Sequence, residues 1–573
     1  MNNSKELLLP VAFCLILVLL LRRLMRQQNI KTSTAIGNVP APRSSSWLKG
    51  NYQDIYNPTA WNFHEYLAKE YGSMVRLHGP FGTDNLYTFD PRAMHHVLYS
   101  DHNVFDASDG FIEASRLNFG RGLFGTPGHE HRRQRKILNP VFSVAHLREM
   151  FPTFLEITHK LEHTLKGQLQ SNNTQTQEVD IISWMGRTAL EIIGQAGLGY
   201  SFDSLTDESN AHPYSHIIKE LVPTLMRVQF WRMNVLPRVV WIGSPSFRRF
   251  IVNMLPWNDV HHIRDMIDYM WEVSDGIYEN KKRAFRMGDE VVAQQIGKGK
   301  DIISVLMREN MKASDEAKLE DHEVIAQVSL KANTIKGLQI EKNSFHNSSL
   351  IFAAMDTTSS AMARLLGLLA NNLYVQERLR VELLEAKEKL NGEDLSFDDL
   401  NGLPYLDAIC KETLRLFPPV STVSRVARQD TVLPLQKPVV GLDGTKMHEV
   451  MVPKGTTVFI SVLNANRNSE LWGEDSTQWN PDRWLSPLLP EVAKARIPGI
   501  YSHLMTFIGG GRSCIGFKFA EMEMKVVVSV LVDRFKFSPS NKEPRIFWQM
   551  NNTSAPIVYG EDHPQLPVNI SIR

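Results

Sequence analysis

The chain has 573 residues, 43% of them hydrophobic, which is enough apolar material for a large buried core. Its 63 basic and 62 acidic side chains nearly cancel, so its charge gives no argument for nucleic acid as a partner, and we predict none. Only three cysteines occur, which excludes a disulfide framework and suits a reducing compartment.

An uncharged apolar run lies near the amino terminus. It extends from Leu7 to Leu21 and is followed by basic residues that begin at Arg22, the pattern of a membrane anchor with its positive flank in the cytosol. Because the run is shorter than the roughly 20 residues of a full span, a cleaved signal peptide is the alternative. We predict an anchor over residues 1–27 and a linker over residues 28–50.

The stretches most typical of β-strands are short and lie between glycines and prolines. They are residues 74–77, 86–89 and 456–461. Helical patterns dominate elsewhere, and no Gly/Ser-rich or Pro-rich linker follows the first 50 residues or so. Residues 215–256 are either core helices or a mobile roof that touches a membrane. We predict one large domain over residues 51–573, mainly α-helical with small β-sheets, an α+β fold.

A basic cluster begins at His131 and includes Arg132, Arg133, Arg135 and Lys136. One interpretation is a patch that attracts the acidic surface of a partner protein. The other is an ordinary solvated face, in which His131 has no special task. The sequence alone leaves both interpretations open.

Asp356 and Thr357 lie inside an apolar stretch of helical length. Apolar runs flank them, from Leu350 to Met355 and from Ala361 to Leu373. Aspartate and threonine are preferred helix caps, so an ordinary cap is one interpretation. The apolar residues on both sides instead favour a position inside a buried helix.

Residues 330–349 interrupt the apolar pattern that leads into this helix. They contain Gly337 and several asparagines, which are poor helix formers, and joining Ser329 directly to Leu350 would restore a continuous apolar helix. We predict an insertion here, with an unspliced intron as one source. A tolerated surface loop is the alternative, because long surface insertions cost little closure entropy.

A charged pair occupies a later helix. Glu412 and Arg415 are three residues apart and therefore share one helix face. Such pairs are mostly solvated and contribute little to stability. Apolar residues surround this pair, however, and the prolines at 418 and 419 end its helix, so burial is favoured. A second arginine, Arg483, lies in the segment Pro481–Trp484.

The most informative segment runs from Phe507 to Gly516 and contains three consecutive glycines and Cys514. A cysteine thiolate is a ligand for haem iron, and backbone N–H groups of a glycine-rich turn can approach its sulfur closely. Gly510 and Gly516 permit the positive φ angles that such a turn can use. A buried cysteine in an ordinary turn is the alternative. Residues 516–535 have apolar residues at helical spacing and predict a helix behind the loop.

The spacing F-x-x-G-x-R-x-C-x-G in this loop resembles the axial-cysteine motif of the cytochrome P-450 family, in which a thiolate holds the haem iron. The E-x-x-R pair, the P-x-R-W segment and the Ala-Ala-Met-Asp-Thr-Thr stretch occur in the order typical of that family. The resemblance covers most of the chain. It implies the cytochrome P-450 fold, with a single large haem domain behind an N-terminal transmembrane anchor.

The resemblance also implies roles for individual residues. Thr357 would hydrogen-bond the bound dioxygen, and Asp356 would relay protons to it from solvent. A buried structural network would be formed by Glu412, Arg415 and Arg483.

Haem b would be held by residues from several segments. Cys514 would be the metal ligand, and arginines would pair with the haem propionates. His131 replaces the tryptophan that is usual in the family, and either ring can donate an N–H. The predicted cofactor-binding residues are Cys514, Arg512, Phe507, Gly510, Gly516, His131, Arg135 and Arg425.

The function implied by the resemblance is that of a haem-thiolate monooxygenase. It would be anchored by a single pass in the endoplasmic reticulum membrane, in contact with lipid, with its haem domain in the cytosol. NADPH-cytochrome P-450 reductase would supply electrons from NADPH, and cytochrome b5 is a further candidate partner. The substrate would be an apolar small molecule of secondary metabolism, terpenoid, sterol-like, fatty or aromatic, as in fungal members. A haem-thiolate isomerase or dehydratase is one alternative; a non-catalytic haem-binding protein is another if the insertion is real.

Overall fold

Most of the chain behind the predicted anchor is described by a computed structural model. The described residues are 35–44, 46–100, 104–171, 174–206, 212–288, 296–312, 349–550, 553–561 and 563–573. The predicted anchor and the predicted insertion, Ser349 apart, lie outside these ranges. Helices dominate and the sheets are small, so the predicted fold class is confirmed.

The chain groups into two compact units. The first contains the described residues within 1–108, 422–465 and 495–498, and the second contains those within 109–421, 466–494 and 499–573. The single domain predicted for residues 51–573 stays a prediction.

The first unit is built around a five-stranded sheet. Its strands lie in the order Met74–His78, Asp84–Thr88, Thr457–Ser461, Thr422–Ala427 and Phe105–Asp106. Asp84–Thr88 pairs in parallel with Thr457–Ser461, and the other pairings are antiparallel. Val458, Phe459 and Ile460 are β-branched or aromatic, the residue types enriched in strands, and all three are buried. The three predicted strands are thus confirmed, with small shifts at their ends.

Short helices and one further hairpin complete the first unit. The hairpin consists of Thr431–Val440 and Lys446–Val452. The helices and helical turns are Tyr52–Ile55, Trp61–Tyr71, Pro80–Gly82, Pro91–His95, His96–Ser100 and Val462–Asn466, the last of which ends on the first residue of a second-unit segment.

Part of the segment predicted as a linker packs onto this unit. Ile36 and Val39 are buried. The carbonyl oxygen of Pro40 accepts a hydrogen bond from Arg76 N over 2.8 Å, which ties the segment to the edge strand Met74–His78. The described residues around Pro40 therefore belong to the folded unit.

The second unit contains most of the helices. The longer ones are Asp109–Phe119, Gly128–Leu138, Val144–Ser171, Ile181–Ile192, Pro213–Arg227, Pro245–Met254, Asn258–Met287, Ile302–Lys312, Ser349–Asn371, Leu373–Glu388, Pro404–Leu416 and Phe517–Arg534. Shorter helices and helical turns are Asn139–Phe142, Ile193–Leu198, Gln229–Asn234, Leu236–Val239, Phe397–Asn401, Ser469–Trp472, Pro481–Trp484, Pro490–Ala495, Gly510–Arg512 and Glu543–Arg545. Its strands form a three-stranded sheet of Gln177–Asp180, Pro567–Ile572 and Phe535–Pro539 and a hairpin of Ile546–Met550 and Ser554–Val558.

Two helices form the centre of the second unit. Ser349–Asn371, which we call the Asp356 helix, packs against Ile181–Ile192 and against Phe517–Arg534. Phe517–Arg534 is the helix predicted behind the cysteine loop, and most of its residues are buried. Its residues 526–532 are apolar on all sides apart from Ser529, and a helical segment of that kind is stable only inside a core, which explains its position.

Residues 215–256, for which the sequence left a core position and a mobile roof as alternatives, contain one helix with a buried face and three helices without buried residues. Pro213–Arg227 buries one face, including Ile218 and Leu221. The next three helices, Gln229–Asn234, Leu236–Val239 and Pro245–Met254, contain no buried residue. The core interpretation is therefore wrong for these three helices. Among the described residues, no helix has the length and apolar character needed to cross a membrane.

Candidate active site

The cysteine loop, Phe507–Gly516, is held in shape by its own backbone. Cys514 N donates to Phe507 O over 3.0 Å, and Ser513 N donates to Gly510 O over 3.1 Å. Gly510 has φ +73°, a conformation that disfavours a side chain. Gly516 has φ −93° and caps the following helix, so it does not use the positive φ that glycine permits.

Cys514 is exposed, and its surroundings form a cavity. It lines a cavity of about 330 Å³ together with Arg135, Asn139, Phe142, Ser143, Ile500, Ser513, Ile515, Phe517 and Lys518. Burial raises the pKa of the Cys514 thiol, while a hydrogen bond from Gly516 N–H and the positive charge of Arg135 lower it. Both of these groups favour the thiolate, the form that binds a metal.

Two arginines connect the cysteine loop to the helix Gly128–Leu138. Arg135, on that helix, donates to Ser513 O and, over 3.1 Å, to Ser513 Oγ. Arg512 donates over 2.9 Å to Thr126 O, just before the helix begins. Burial lowers the pKa of Arg135, and the nearby Cys514 thiolate opposes this shift. The structure thus brings Cys514, Arg512 and Arg135 together.

The other predicted haem contacts have different surroundings. His131 is buried on the same helix as Arg135. Phe507 lies between two aromatic rings, with centroids 5.4 Å from Tyr501 and 6.0 Å from Phe517. Arg425 belongs to the first unit, where it lies in Thr422–Ala427 and donates to Ser424 O. The haem-binding roles of these residues stay predictions.

The predicted Asp356 and Thr357 have different hydrogen-bond partners. Asp356 is buried, and its Oδ1 lies 3.1 Å from Lys219 Nζ, on the helix Pro213–Arg227. The same ammonium group donates over 2.7 Å to Ser359 Oγ. Thr357 Oγ1 donates over 2.7 Å to Ala353 O, one turn earlier. The ordinary-cap interpretation is wrong, because both residues lie inside the helix Ser349–Asn371.

The predicted charge network around Glu412 is present. Arg415 Nε and Nη2 each donate to a separate Glu412 carboxylate oxygen over 2.8 Å, and neither side chain is exposed. Arg483 Nε lies 3.5 Å from Glu412 Oε1 and its Nη2 lies 2.6 Å from Asp475 Oδ2. Trp484 Nε1 donates to Glu412 Oε2 over 2.9 Å. The buried carboxylate is therefore fully supported by donors, as a buried charge requires.

Three residues that contact the predicted site residues could not be or were not predicted from the sequence. Lys219 lies 137 residues before Asp356, and no local pattern connects them. Asp475 pairs with Arg483 from outside the P-x-R-W segment. Trp484 belongs to that segment, so its contact with Glu412 could have been anticipated from the motif.

The residues around Cys514 fit a haem better than a bare metal ion. Among the described residues, no group of three or more histidine, cysteine, aspartate or glutamate side chains could hold an ion by itself. One accessible thiol with thiolate-stabilising neighbours suits a metal whose other ligands come from a macrocycle. The adjacent guanidinium groups of Arg135 and Arg512 suit its carboxylates.

Comparison with known proteins gives a family and a set of relatives. The model of the family described as Cytochrome P-450 matches residues 40–558. Cytochrome P-450 monooxygenase 212 of Postia placenta is 43% identical over 553 residues, which cover 96% of each chain. Cytochrome P-450 monooxygenase 91 of the same fungus is 42% identical over 99% of this chain and 98% of its own. A ganoderic acid synthetase of Ganoderma lucidum is 42% identical over 91% of each chain.

Proposed function

Since the chain belongs to the cytochrome P-450 family of monooxygenases, we propose that it hydroxylates or epoxidises an apolar small molecule at a haem b group held by Cys514. The observation that carries the proposal is the accessible Cys514, which lines a cavity together with Arg135, whose guanidinium group donates to the neighbouring Ser513 Oγ. When bound, a haem with a thiolate ligand supplies the activation of dioxygen with electrons from NADPH.

The chain's own residues would fix the position of that group. Cys514 would hold the iron; burial raises the pKa of its thiol, and Gly516 N–H and Arg135 oppose that shift and so favour the thiolate. Arg512 and Arg135 lie at the cysteine loop and would pair with the propionates, and His131 and Arg425 are proposed as further contacts. Charge-assisted bonds from guanidinium groups orient a carboxylate as well as bind it.

Asp356, Lys219 and Thr357 would control proton delivery. Lys219 is 17% exposed and contacts the buried Asp356 carboxylate, so the pair extends from solvent into the core. Asp356 Oδ1 would take up and release the proton. Thr357 donates its hydroxyl proton to Ala353 O, which leaves its oxygen free to accept a hydrogen bond from a proton donor.

The proposed substrate is apolar and comes from secondary metabolism. Phe352, on the Asp356 helix, packs against Phe119 with ring centroids 4.7 Å apart, and Phe124 lies 6.0 Å from Phe119. Aromatic rings next to the proposed proton relay favour an uncharged ligand. The relative named as a ganoderic acid synthetase supports a role in secondary metabolism. We propose a terpenoid, sterol-like, fatty or aromatic substrate.

A reductase would dock near the cysteine loop. Arg132 and Lys136 are exposed on the helix that carries Arg135, whose side chain contacts Ser513. A basic surface here would attract an acidic electron donor, NADPH-cytochrome P-450 reductase or cytochrome b5. The donor would thus approach beside the Cys514 loop.

The membrane association has two proposed elements. The first is the single-pass anchor within residues 1–27, which would hold the protein in the endoplasmic reticulum membrane with the remainder in the cytosol. The second is a set of exposed apolar side chains on the three helices without buried residues and the short turns beside them. This set consists of Trp231, Val239, Trp241, Ile242, Phe247, Phe250, Ile251 and Met254. Exposed aromatic and aliphatic groups of this kind suit a lipid interface.

The experiment that tests the function uses the full chain, loaded with haem and mixed with a fungal NADPH-cytochrome P-450 reductase. We expect a red-shifted Soret band for the reduced carbon monoxide complex and NADPH oxidation that increases when an apolar substrate is added. Cys514→Ser should abolish the band, and Cys410→Ala, at the other described cysteine, should keep it. A band without NADPH oxidation would favour an isomerase, a dehydratase or a non-catalytic haem-binding protein, and no band would contradict haem-thiolate chemistry.

A further inference from the structure

Asn466 connects the buried Glu412–Arg415 pair to Met505 and Thr506, the two residues that precede the cysteine loop. We infer that Asn466 is a positioning residue for the Cys514 thiolate, acting through Met505 and Thr506. The inference rests on the proposed haem-thiolate function and assigns a new role within that site.

The side chain of Asn466 is fully buried, and both of its polar atoms are used. Its Oδ1 accepts a hydrogen bond from Met505 N over 2.7 Å. Its Nδ2 donates over 2.8 Å to Thr506 Oγ1, whose hydroxyl donates over 2.8 Å to Leu414 O. The amide thus holds two consecutive residues of the segment that enters the cysteine loop.

The backbone of Asn466 faces the charge network. Its carbonyl oxygen accepts a hydrogen bond from Arg415 Nη1 over 3.0 Å. Arg415 is fixed in turn by its two bonds to Glu412. Asn466 therefore bonds both to the buried ion pair and to the residues just before Phe507, so the position of one depends on the position of the other.

The start of the cysteine loop needs external support because the backbone at Ile508 is strained. Ile508 has φ +44°, a conformation that β-branched residues rarely adopt and that persists only where the surroundings impose it. Its N–H donates over 2.8 Å to Met505 O, the residue held by Asn466. Phe507 O, one residue earlier, accepts the hydrogen bond from Cys514 N. A shift of Met505 would therefore move the acceptor that fixes Cys514.

Few other side chains could replace this amide, because it accepts one hydrogen bond and donates another. Asn466→Asp keeps the acceptor for Met505 N but removes the donor to Thr506 Oγ1, so it would break one of the two links to the loop. Asn466→Ala would break both. Thr506→Val would remove the hydroxyl that Asn466 and Leu414 share, whereas Thr506→Ser would keep it.

The test uses the haem-loaded full chain and measures, per bound haem, the fraction whose reduced carbon monoxide complex has the red-shifted Soret band. For Thr506→Val we expect the ratio of thiolate-ligated to other complexes to fall roughly tenfold, about the effect of one lost hydrogen bond, and for Asn466→Ala, which loses both links, to fall by at least as much. Thr506→Ser should restore the wild-type ratio. Asn468→Ala is the matched control, because Asn468 caps the next helix through Glu470 N.

A purely structural role would lower the melting temperature and the haem content but leave the ratio per bound haem unchanged. An unchanged ratio in both Asn466→Ala and Thr506→Val would overturn the inference while the wild-type band upholds the function. If Asn466→Ala does not fold, Thr506→Val alone decides between these outcomes. Absence of the band from the wild type would overturn both the function and the inference.

Discussion

Lys219 Nζ lies 3.1 Å from Asp356 Oδ1 and thereby ties the helix Pro213–Arg227 to the Asp356 helix. Gly186, on a third helix, Ile181–Ile192, lies beside this contact. A Cβ added at Gly186 would lie 3.4 Å from Lys219 Cε, an ordinary contact, and 3.3 Å from Met355 Cε, slightly closer than usual. The third helix therefore packs directly against the lysine that carries the ion pair.

Removing the lysine should leave a buried carboxylate without its cation. We expect Lys219→Met to lower the free energy of unfolding by about 2–3 kcal/mol, somewhat less than a fully buried pair because Lys219 is partly exposed. Asp356→Asn combined with Lys219→Met should recover most of this loss, since neither charge is then left alone. Denaturant unfolding of the two single variants and the double variant measures the coupling. Strictly additive losses would show that the pair contributes nothing.

The Glu412 network should tolerate no change in the shape of its arginine. Arg415→Lys keeps the charge but loses the two-pronged contact with Glu412, and it also gives up the donors to Asn466 O and Ser476 O. We expect a loss of about 3–5 kcal/mol in the free energy of unfolding and poor haem retention. Thermal unfolding and the haem-to-protein absorbance ratio measure both effects.

A matched arginine elsewhere gives the control for this prediction. Arg534 also pairs with a glutamate, Glu162, over 2.9 Å, but its side chain is 48% exposed. Arg534→Lys should therefore change stability by no more than about 1 kcal/mol. If Arg415→Lys and Arg534→Lys lower the free energy of unfolding equally, burial of Arg415 is not the cause of its effect on stability.

Adjacent glycines of the cysteine loop should respond differently to alanine. Gly510→Ala places a side chain at φ +73°, which costs about 1–2 kcal/mol. An added Cβ at Gly511 has no atom within 4 Å, so Gly511→Ala should be neutral. The fraction of haem-bound protein with the red-shifted carbon monoxide band should fall only in the first variant. If Gly511→Ala lowers this fraction as much as Gly510→Ala, the left-handed backbone at Gly510 is not the cause.

Sequence reasoning succeeded where a feature is local. Glu412 and Arg415 share a helix face because of their spacing, and the structure confirms their pairing. The loop spacing around Cys514 was informative for the same reason, because the turn is closed by bonds between its own residues. Gly516 shows the limit of this reasoning, since glycine allows a positive φ without requiring one.

Contacts between distant segments could not be predicted in this way. Lys219 reaches Asp356 only because two helices pack side by side. Asn466 supports the cysteine loop from 39 residues away, where its amide meets Met505 N. Neither residue belongs to a spacing pattern, so only the tertiary arrangement reveals it.

Glu523 should make stability depend on pH. It is fully buried on the helix Phe517–Arg534, and neither carboxyl oxygen has a hydrogen-bond partner in the described part of the chain. Burial raises the pKa of Glu523 well above its usual range. The folded protein therefore binds a proton that the unfolded chain releases above about pH 4. The contribution of Glu523 to the free energy of unfolding is fully present below that pH, and it is lost as the pH rises through the pKa of Glu523 in the folded protein.

Glu523→Gln removes this titration while keeping the shape of the side chain. We expect the variant and the wild type to have similar free energies of unfolding near pH 4. As the pH rises, the free energy of unfolding of the variant should increase relative to that of the wild type, by up to about 1.4 kcal/mol per pH unit. Melting temperatures between pH 4 and pH 8 measure the difference. Glu521→Gln, two residues earlier, should instead destabilise the protein, because Glu521 pairs with Lys525 over 2.9 Å. Parallel stability profiles of the wild type and Glu523→Gln would show that Glu523 does not hold a proton in the folded protein.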